Sequence, residues 1–103
     1  MSSEENVFKA LASPIRREIL FHLRRGELSA GAIAAKFDIA APTISRHLGV
    51  LKSADLVAER RDGNRILYAA AQDRIAATLT DFLGAVCPTQ QAQRRKTTRK
   101  ERR

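Results

Sequence analysis

The chain has almost none of the cysteine that covalent and metal-bound sites need. Only one of its 103 residues is a cysteine, Cys87. No disulfide can therefore form within one chain, and no multi-cysteine zinc or iron–sulfur site can be built there. The sequence also lacks a Gly-rich phosphate loop, a carboxylate pair and an oxyanion motif. These absences argue against an enzyme, and we expect no cofactor.

Long apolar runs are missing as well. No apolar stretch approaches the roughly 20 residues of a membrane span. Residues 1–5, Met-Ser-Ser-Glu-Glu, lack the positive charge and apolar run of a secretory signal. We therefore expect a soluble, cytoplasmic protein without membrane insertion. A chain of 103 residues is long enough for one domain. The core of such a small domain gives only marginal stability, so association into a dimer is a reasonable expectation.

Positive charge is abundant but unevenly distributed. The chain holds 19 Lys and Arg against 11 Asp and Glu, a net charge of +8. Residues 1–87 contain twelve basic and ten acidic side chains, whereas residues 88–103 contain seven basic and one acidic. From Thr89 onward the only apolar residue is Ala92, so we expect a folded domain at 1–87 and a disordered basic tail at 88–103. The total charge therefore does not locate a binding surface.

Apolar spacing and capping residues predict a mainly α-helical fold with a small β-hairpin. Ser13 and Ser29 are suitable N-caps, and Pro14 and Pro42 suit the first turn of a helix. The predicted helices span residues 4–11, 14–25, 30–37, 42–54 and 72–86, and the predicted strands span 56–61 and 65–70. Between the strands, the Asp-Gly pair of Asp62-Gly63-Asn64 predicts a type I′ turn. The expected architecture is a winged helix-turn-helix: four helices, a hairpin wing and a fifth helix.

The helix at 42–54 has two different faces. Its apolar stripe consists of Ile44, Leu48 and Leu51, and a turn of 100° per residue places Arg46 almost opposite that stripe. The outer side carries Thr43, Ser45, Arg46 and His47. Arginine can bind guanine through two hydrogen bonds, and Ser and Thr reach bases or phosphates. These residues favour a DNA recognition helix; the alternative is an ordinary solvated helix face.

The hairpin sequence places three arginines, Arg60, Arg61 and Arg65, around a tight turn. Such a tip can enter a minor groove or bind phosphates. Since side chains alternate along a strand, Arg60 and Arg61 cannot both face DNA, and at least one is structural or solvent-facing. The alternative is that these charges only keep the hairpin soluble.

Two segments carry a resemblance to a known family. Residues 8–20, FKALASPIRREIL, and 43–52, TISRHLGVLK, resemble the ArsR/SmtB winged-helix repressors. The run S-x-H-L-x-x-L at 45–51, a following D-L-V and a wing ending in Tyr68 strengthen the likeness. The resemblance covers residues 4 to about 86, and its start is similar to the metal-independent autorepressor branch of the family.

The resemblance implies a homodimer, paired through the first and last helices, that binds double-stranded DNA at an inverted-repeat operator. By position, it implies that Thr43, Ser45 and Arg46 contact bases. His47 and the wing residues Arg61, Asn64 and Arg65 would then contact the DNA backbone. The dimer surface is expected on two exposed apolar stripes: Val7, Phe8 and Leu11 on the first helix, and Ile75, Leu79, Phe82, Leu83 and Val86 on the last.

The family's metal-sensing chemistry has no counterpart here. Metal-sensing members carry a Cys-x-Cys pair on the third helix, or Asp/His and His/Glu ligands on the last. The third helix of this chain has no Cys or His, and the last offers Asp73 and Asp81 but no His. Asp73 and Asp81 are eight residues apart, more than two helical turns, so they cannot chelate one ion within a helix. We therefore expect no metal site. For Cys87 a buried or inert thiol is favoured, and a bridge between the subunits of a dimer remains open.

The function expected from these observations is a sequence-specific DNA-binding transcriptional repressor. The alternative is a non-specific RNA- or nucleoid-binding protein driven by the tail at 88–103. A third possibility is a module that binds another protein, although no surface indicates that partner. The sequence determines neither the operator nor an inducing signal.

Overall fold

Five helices, one short 3₁₀ turn and three strands make up residues 3–87, the part of the chain that this computed structural model describes. The helices are α1 (Ser3–Leu11), α2 (Pro14–His22), α3 (Ala30–Lys36), α4 (Ala41–Ser53) and α5 (Gln72–Val86), with the 3₁₀ turn at Leu23–Arg25. The strands are β1 (Leu28–Ser29), β2 (Val57–Asp62) and β3 (Arg65–Ala70). This order confirms the predicted winged helix-turn-helix. The predicted basic tail, 88–103, lies outside the described residues.

Side-chain caps explain where two of the helices begin. The hydroxyl of Ser13 accepts a hydrogen bond from the backbone N–H of Arg16 at 3.3 Å, and that of Ser29 accepts one from Ala32 at 3.1 Å. Each bond satisfies one of the N–H groups that a helix start leaves without a partner. Both predicted N-caps are therefore confirmed. The second helix ends in a 3₁₀ turn, closed by a bond from the Gly26 N–H to the Leu23 carbonyl.

One core holds the helices and the sheet together. The apolar stripe of α4, Ile44, Leu48 and Leu51, is at most 1% exposed and lies at its centre. Residues from the other elements complete the core: Val7, Ala10, Ile19, Leu23, Ile33, Ala54, Leu56 and Val57. Burying this stripe fixes which face of α4 remains in solvent. Val7 is 0% exposed, so the expectation that it lies on an exposed stripe is wrong: α1 directs Val7 inward and Phe8 outward.

The sheet has three antiparallel strands in the order β1-β3-β2. The predicted hairpin of β2 and β3 is confirmed, while β1 was not predicted. It pairs Leu28 with Tyr68 and Ser29 with Leu67. Two residues are too few to show the alternation by which strands are recognised, and Ser29 carries the stronger signal of a helix cap.

The turn of the wing differs from the expected type I′. Asp62 pairs with Arg65 in the ladder, so Gly63 and Asn64 are its two central residues. Gly63 has a φ of +63°, whereas Asn64 is not among the residues with positive φ. A type I′ turn needs positive φ at both positions, and a type II′ turn needs it only at the first, where it favours glycine. The backbone therefore fits a type II′ turn. Asp62 is the last residue of β2, so Gly63, and not Asp62, occupies the first central position of the turn.

The backbone of Gly63 leads to a stability prediction. A Cβ built on Gly63 meets no atom within 4 Å, so Gly63→Ala tests backbone conformation alone. We expect it to lower the free energy of unfolding by about 1–2 kcal/mol. Gly49 lies inside α4 and is equally open. Gly49→Ala should therefore raise stability by about 1 kcal/mol. Thermal unfolding of both variants checks the opposite signs; equal shifts would contradict the assignment of the turn.

Candidate nucleic-acid interface

The outward face of α4 presents the residues predicted to contact DNA. Ser45 and Arg46 are exposed, and Thr43 is half-buried beside them. Within residues 3–87, no hydrogen bond or ion pair engages the guanidinium of Arg46. The exposure of Ser45 and Arg46 shows that no described element covers this side of α4. The structure therefore brings Thr43, Ser45 and Arg46 together on one accessible helix face.

The start of α4 is electrostatically suited to a phosphate. Its N-cap, Ala40, makes no side-chain cap, and the first turn contains no acidic residue. The N–H groups of Thr43 and Ile44 both donate to the Ala40 carbonyl, at 3.0 and 3.2 Å, so the suitability rests on the charge of the helix start and not on these two donors. The partial positive charge of a helix start attracts anions. A DNA phosphate close to this turn would interact with the positive helix start, while the polar face of α4 would lie next to the same DNA.

His47, the fourth predicted residue of this helix, is held by a partner that the sequence did not indicate. It is half-buried, and its Nδ1 accepts a hydrogen bond from Arg16 Nη1 of α2 at 3.2 Å. The same guanidinium donates from Nε to the Ala10 carbonyl at 2.6 Å and from Nη2 to the Lys9 carbonyl at 3.1 Å. Residues 31 positions apart share no helical spacing, so no local pattern could have revealed the contact.

The surroundings of His47 oppose its protonation. Burial lowers the pKa of His47 below its ordinary value, and the positive charges of Arg16 and Arg46 lower it further. The neutral imidazole is therefore the favoured form near neutral pH.

The wing residues predicted to contact DNA, Arg61, Asn64 and Arg65, are all exposed. Arg65 Nη2 lies 3.2 Å from a carboxylate oxygen of Asp62 across the turn. Arg61 forms no ion pair with any of the described residues. Among the described residues, the tip therefore presents Arg61 without an ion pair and Arg65 in an ion pair with Asp62.

Arg60 has a different task from Arg61. Its Nε and Nη2 donate to the two carboxylate oxygens of Glu27, at 2.7 and 2.8 Å. This paired contact lowers the pKa of Glu27 and raises that of Arg60. Arg60 ties the wing to the loop before β1, which confirms the prediction that at least one of Arg60 and Arg61 is structural or solvent-facing.

A second ion pair joins the wing to α4. Lys52, in the last turn of α4, donates to Glu59 of β2. This hydrogen bond lowers the pKa of Glu59 and raises that of Lys52. Tyr68 lies opposite Glu59 in the ladder, and burial, followed by the nearby Glu59 charge, raises its pKa. The base of the wing is therefore attached to α4, which fixes the spacing between the two predicted DNA-contacting elements.

A separate apolar surface lies on α1 and α5. Phe8 and Phe82 contact edge to face with ring centres 5.1 Å apart. Phe82 is 45% exposed and Val86 is 60% exposed, and Phe8 and Leu83 are also exposed. We call Phe8, Phe82, Leu83 and Val86 the α1/α5 patch. Leu79 is half-buried, and Leu11 and Ile75 pack partly against the core. The exposed surface is therefore narrower than the sequence predicted.

Sites for other chemistry are sparse. No group of three or more His, Cys, Asp or Glu within residues 3–87 is placed to hold a metal ion. Cys87 is exposed at the end of α5, so the first alternative for it, a buried thiol, is wrong, and the second, an inert thiol, stays a prediction. No described helix is long and apolar enough to cross a membrane.

Comparisons with known proteins connect this geometry to one family. A family model described as a helix-turn-helix domain matches residues 11–60. The transcriptional repressor SdpR of Bacillus subtilis is 48% identical over 63 residues, covering 61% of this chain and 70% of that protein. A biofilm growth-associated repressor of Agrobacterium fabrum is 42% identical over 80 residues, covering 78% and 68%.

Solved structures show the same architecture. The NMR structure of a homodimeric winged helix-turn-helix DNA-binding domain from Mycobacterium bovis, described as a possible ArsR-family regulator, has a TM-score of 0.69. It is 36% identical, and the match covers 84% of this chain and 79% of that one.

Proposed function

The chain belongs to the ArsR family of winged helix-turn-helix transcriptional regulators, which are DNA-binding proteins and not enzymes, and on that premise we propose that it is a sequence-specific repressor that binds an inverted-repeat operator as a homodimer. The observation that carries the proposal is the face of α4 opposite the core, where Ser45 and Arg46 are exposed beside an uncapped helix start. It acts in the cytoplasm, where its operator is accessible.

The proposed contacts divide into two kinds. Arg46 donates two hydrogen bonds to a guanine, and Thr43 and Ser45 contact neighbouring base edges in the major groove. His47 and the wing residues Arg61, Asn64 and Arg65 bind phosphates, which position the protein without carrying sequence information.

The α1/α5 patch supports the proposed homodimer. Four exposed apolar side chains on adjacent helices form a surface that a second copy would cover, since a two-fold interface uses the same patch on both subunits. The Mycobacterium bovis neighbour is homodimeric. Pairing of this kind would place two copies of α4 about one turn of DNA apart.

Selection of duplexes from a randomised pool by the full chain tests this function. We expect an inverted repeat whose half-sites are centred about 10 base pairs apart, and a footprint that covers both halves. Binding with equal affinity to random DNA, without a discrete protected site, would contradict the proposal.

The basic tail supports a second candidate, a non-specific RNA- or nucleoid-binding protein. Residues 88–103 hold seven of the 19 basic side chains, enough for sequence-independent attraction to phosphates. In our proposal this tail is an appendage of the domain at 1–87 that adds affinity but no base preference.

Removal of the tail distinguishes the two candidates. In a chain that ends at Cys87, we expect the selected inverted repeat to be preferred as before. The slope of log K against log salt should fall by about 0.9 for each phosphate contact that is lost. Titrations at several salt concentrations measure both quantities. If the truncated chain binds no DNA at all, the tail is the main binding element and the second candidate is correct.

A further inference from the structure

We propose that Arg16 is a positioning residue for DNA recognition: it joins the end of α1 to the recognition helix and holds His47 in the neutral form whose Nε2–H is available to DNA. The inference rests on the proposed function, because it assigns a state to one of the side chains proposed to bind DNA. It adds a residue of α2 that has no DNA contact of its own in that proposal.

Three hydrogen bonds from one guanidinium carry the inference. Arg16 donates to the carbonyls of Lys9 and Ala10, at 3.1 and 2.6 Å, and to Nδ1 of His47 at 3.2 Å. Lys9 and Ala10 are in the last turn of α1, where carbonyls lack the usual i+4 helical partner; the Lys9 carbonyl also accepts from the Ala12 N–H at 3.2 Å. Arg16 is half-buried, and a rigid planar fork loses little freedom when it makes several such bonds. The guanidinium is therefore held between the end of α1 and His47 of α4.

The bond to His47 determines where the imidazole carries its proton. A guanidinium can only donate hydrogen bonds, so Nδ1 must accept and the single proton of the neutral ring must be on Nε2. Within residues 3–87, Nε2 of His47 has no protein partner, and it is not among the enclosed polar atoms. It remains open to an outside acceptor, and a DNA phosphate oxygen is an acceptor of the required kind.

The charges around the ring favour the same state. The groups that act on His47 are Arg16 from α2 and Arg46 from α4, both cationic. Protonation of Nδ1 would place an N–H against the N–H of Arg16 and add a third positive charge. The pKa of His47 is accordingly lowered, by burial first and by these two charges next.

The contact also connects the two functions proposed for the chain. Helix α1 contributes Phe8 to the α1/α5 patch, and the last turn of the same helix carries the Lys9 and Ala10 carbonyls that accept hydrogen bonds from Arg16. Arg16 would therefore transmit a change in position at the end of α1 to the recognition helix, in addition to the direct packing of α1 against α4. Arg17 offers a direct comparison, because it donates to the Leu11 carbonyl at 2.8 Å but makes no bond to α4.

Nitrogen NMR of the histidine rings tests the assigned state without DNA. The chain has two histidines, and His22 serves as an internal reference because it contacts Glu18, Phe21 and Phe37 but not Arg16. In the wild type we expect His47 to be neutral at pH 7 with its proton on Nε2. In Arg16→Met we expect the His47 titration to move to higher pH and the proton to be shared between both nitrogens, while the His22 ring signals at pH 7 keep their chemical shifts. A wild-type ring protonated on Nδ1 overturns the proposal even if the variant does not fold.

DNA binding tests the positioning role, with a duplex selected by the wild-type chain as the probe. Arg16→Met should bind this duplex about tenfold more weakly, whereas Arg17→Met, which loses the same charge and one α1 contact, should bind nearly as the wild type. In a His47→Ala background, Arg16→Met should have little further effect, because the two residues act in series. Equal losses for Arg16→Met and Arg17→Met, or full additivity with His47→Ala, would overturn the inference. Failure of the wild type to select any duplex would instead contradict the proposed function and leave the NMR result standing.

Discussion

Phe82→Glu is expected to convert the proposed homodimer to a monomer and to weaken binding to the selected inverted repeat by roughly 10²–10⁴-fold. Phe82 belongs to the α1/α5 patch, where it contacts Phe8 and is 45% exposed in the single chain. In a two-fold interface one substitution introduces two carboxylates into the same apolar contact, and burying an unpaired charge is strongly unfavourable. A monomer binds only one half-site and loses the gain of simultaneous binding.

Analytical ultracentrifugation and DNA titration together check this result. Phe21 is a matched control, since it is a phenylalanine of 56% exposure that lies on α2, outside the α1/α5 patch. Phe21→Glu should leave both the dimer and its operator affinity intact. If Phe82→Glu remains dimeric at the same concentration, the subunits pair through another surface. Circular dichroism of the variant separates loss of pairing from loss of folding, since Phe82 is half in solvent and its removal should leave the core intact.

The helical part of the fold could be predicted from the sequence because its signals are local. Ser13 and Ser29 each cap a helix within three residues, and Ile44, Leu48 and Leu51 recur at helical spacing and are all buried. The errors occurred where tertiary contacts decide. Strand β1 forms through its pairing with β3, in which Leu28 lies opposite Tyr68 and Ser29 opposite Leu67. Val7 and Phe8 are adjacent apolar residues, and only the packing of α1 shows that Val7 is the one buried in the core.

For the candidate site, the sequence indicated which residues face outward but not what holds them. The helical angle alone placed Arg46 on the face opposite the core stripe. The partners of His47 and Arg60 come from other elements, Arg16 of α2 and Glu27 before β1, at separations of 31 and 33 residues. Such pairs leave no periodic signal in one sequence. The alternation rule showed that Arg60 and Arg61 differ, but only the ion pair with Glu27 showed which one is structural.

Arg46→Ala is expected to remove the preference for one base pair of each half-site, at a cost of about 1–3 kcal/mol for the selected sequence. Arg46 is exposed on the outer face of α4, and no ion pair within the described residues competes for its guanidinium. Its two parallel donors match the O6 and N7 acceptors of guanine. Competition binding between the selected duplex and duplexes changed at single positions measures the effect. Arg25→Ala, which removes an exposed arginine at the end of the 3₁₀ turn, should leave every base preference unchanged.

Arg46→Lys separates base recognition from charge. Lysine keeps the positive charge, but its ammonium is a point charge that cannot reproduce the planar two-donor geometry. We therefore expect the slope of log K against log salt to stay the same, while the preference at one position falls most of the way to that of Arg46→Ala. If Arg46→Lys instead retained full discrimination and Arg46→Ala weakened binding equally to all sequences, Arg46 would contact phosphate only. The base preference would then have to come from Thr43 and Ser45, whose short hydroxyls on the same face would be the next residues to substitute.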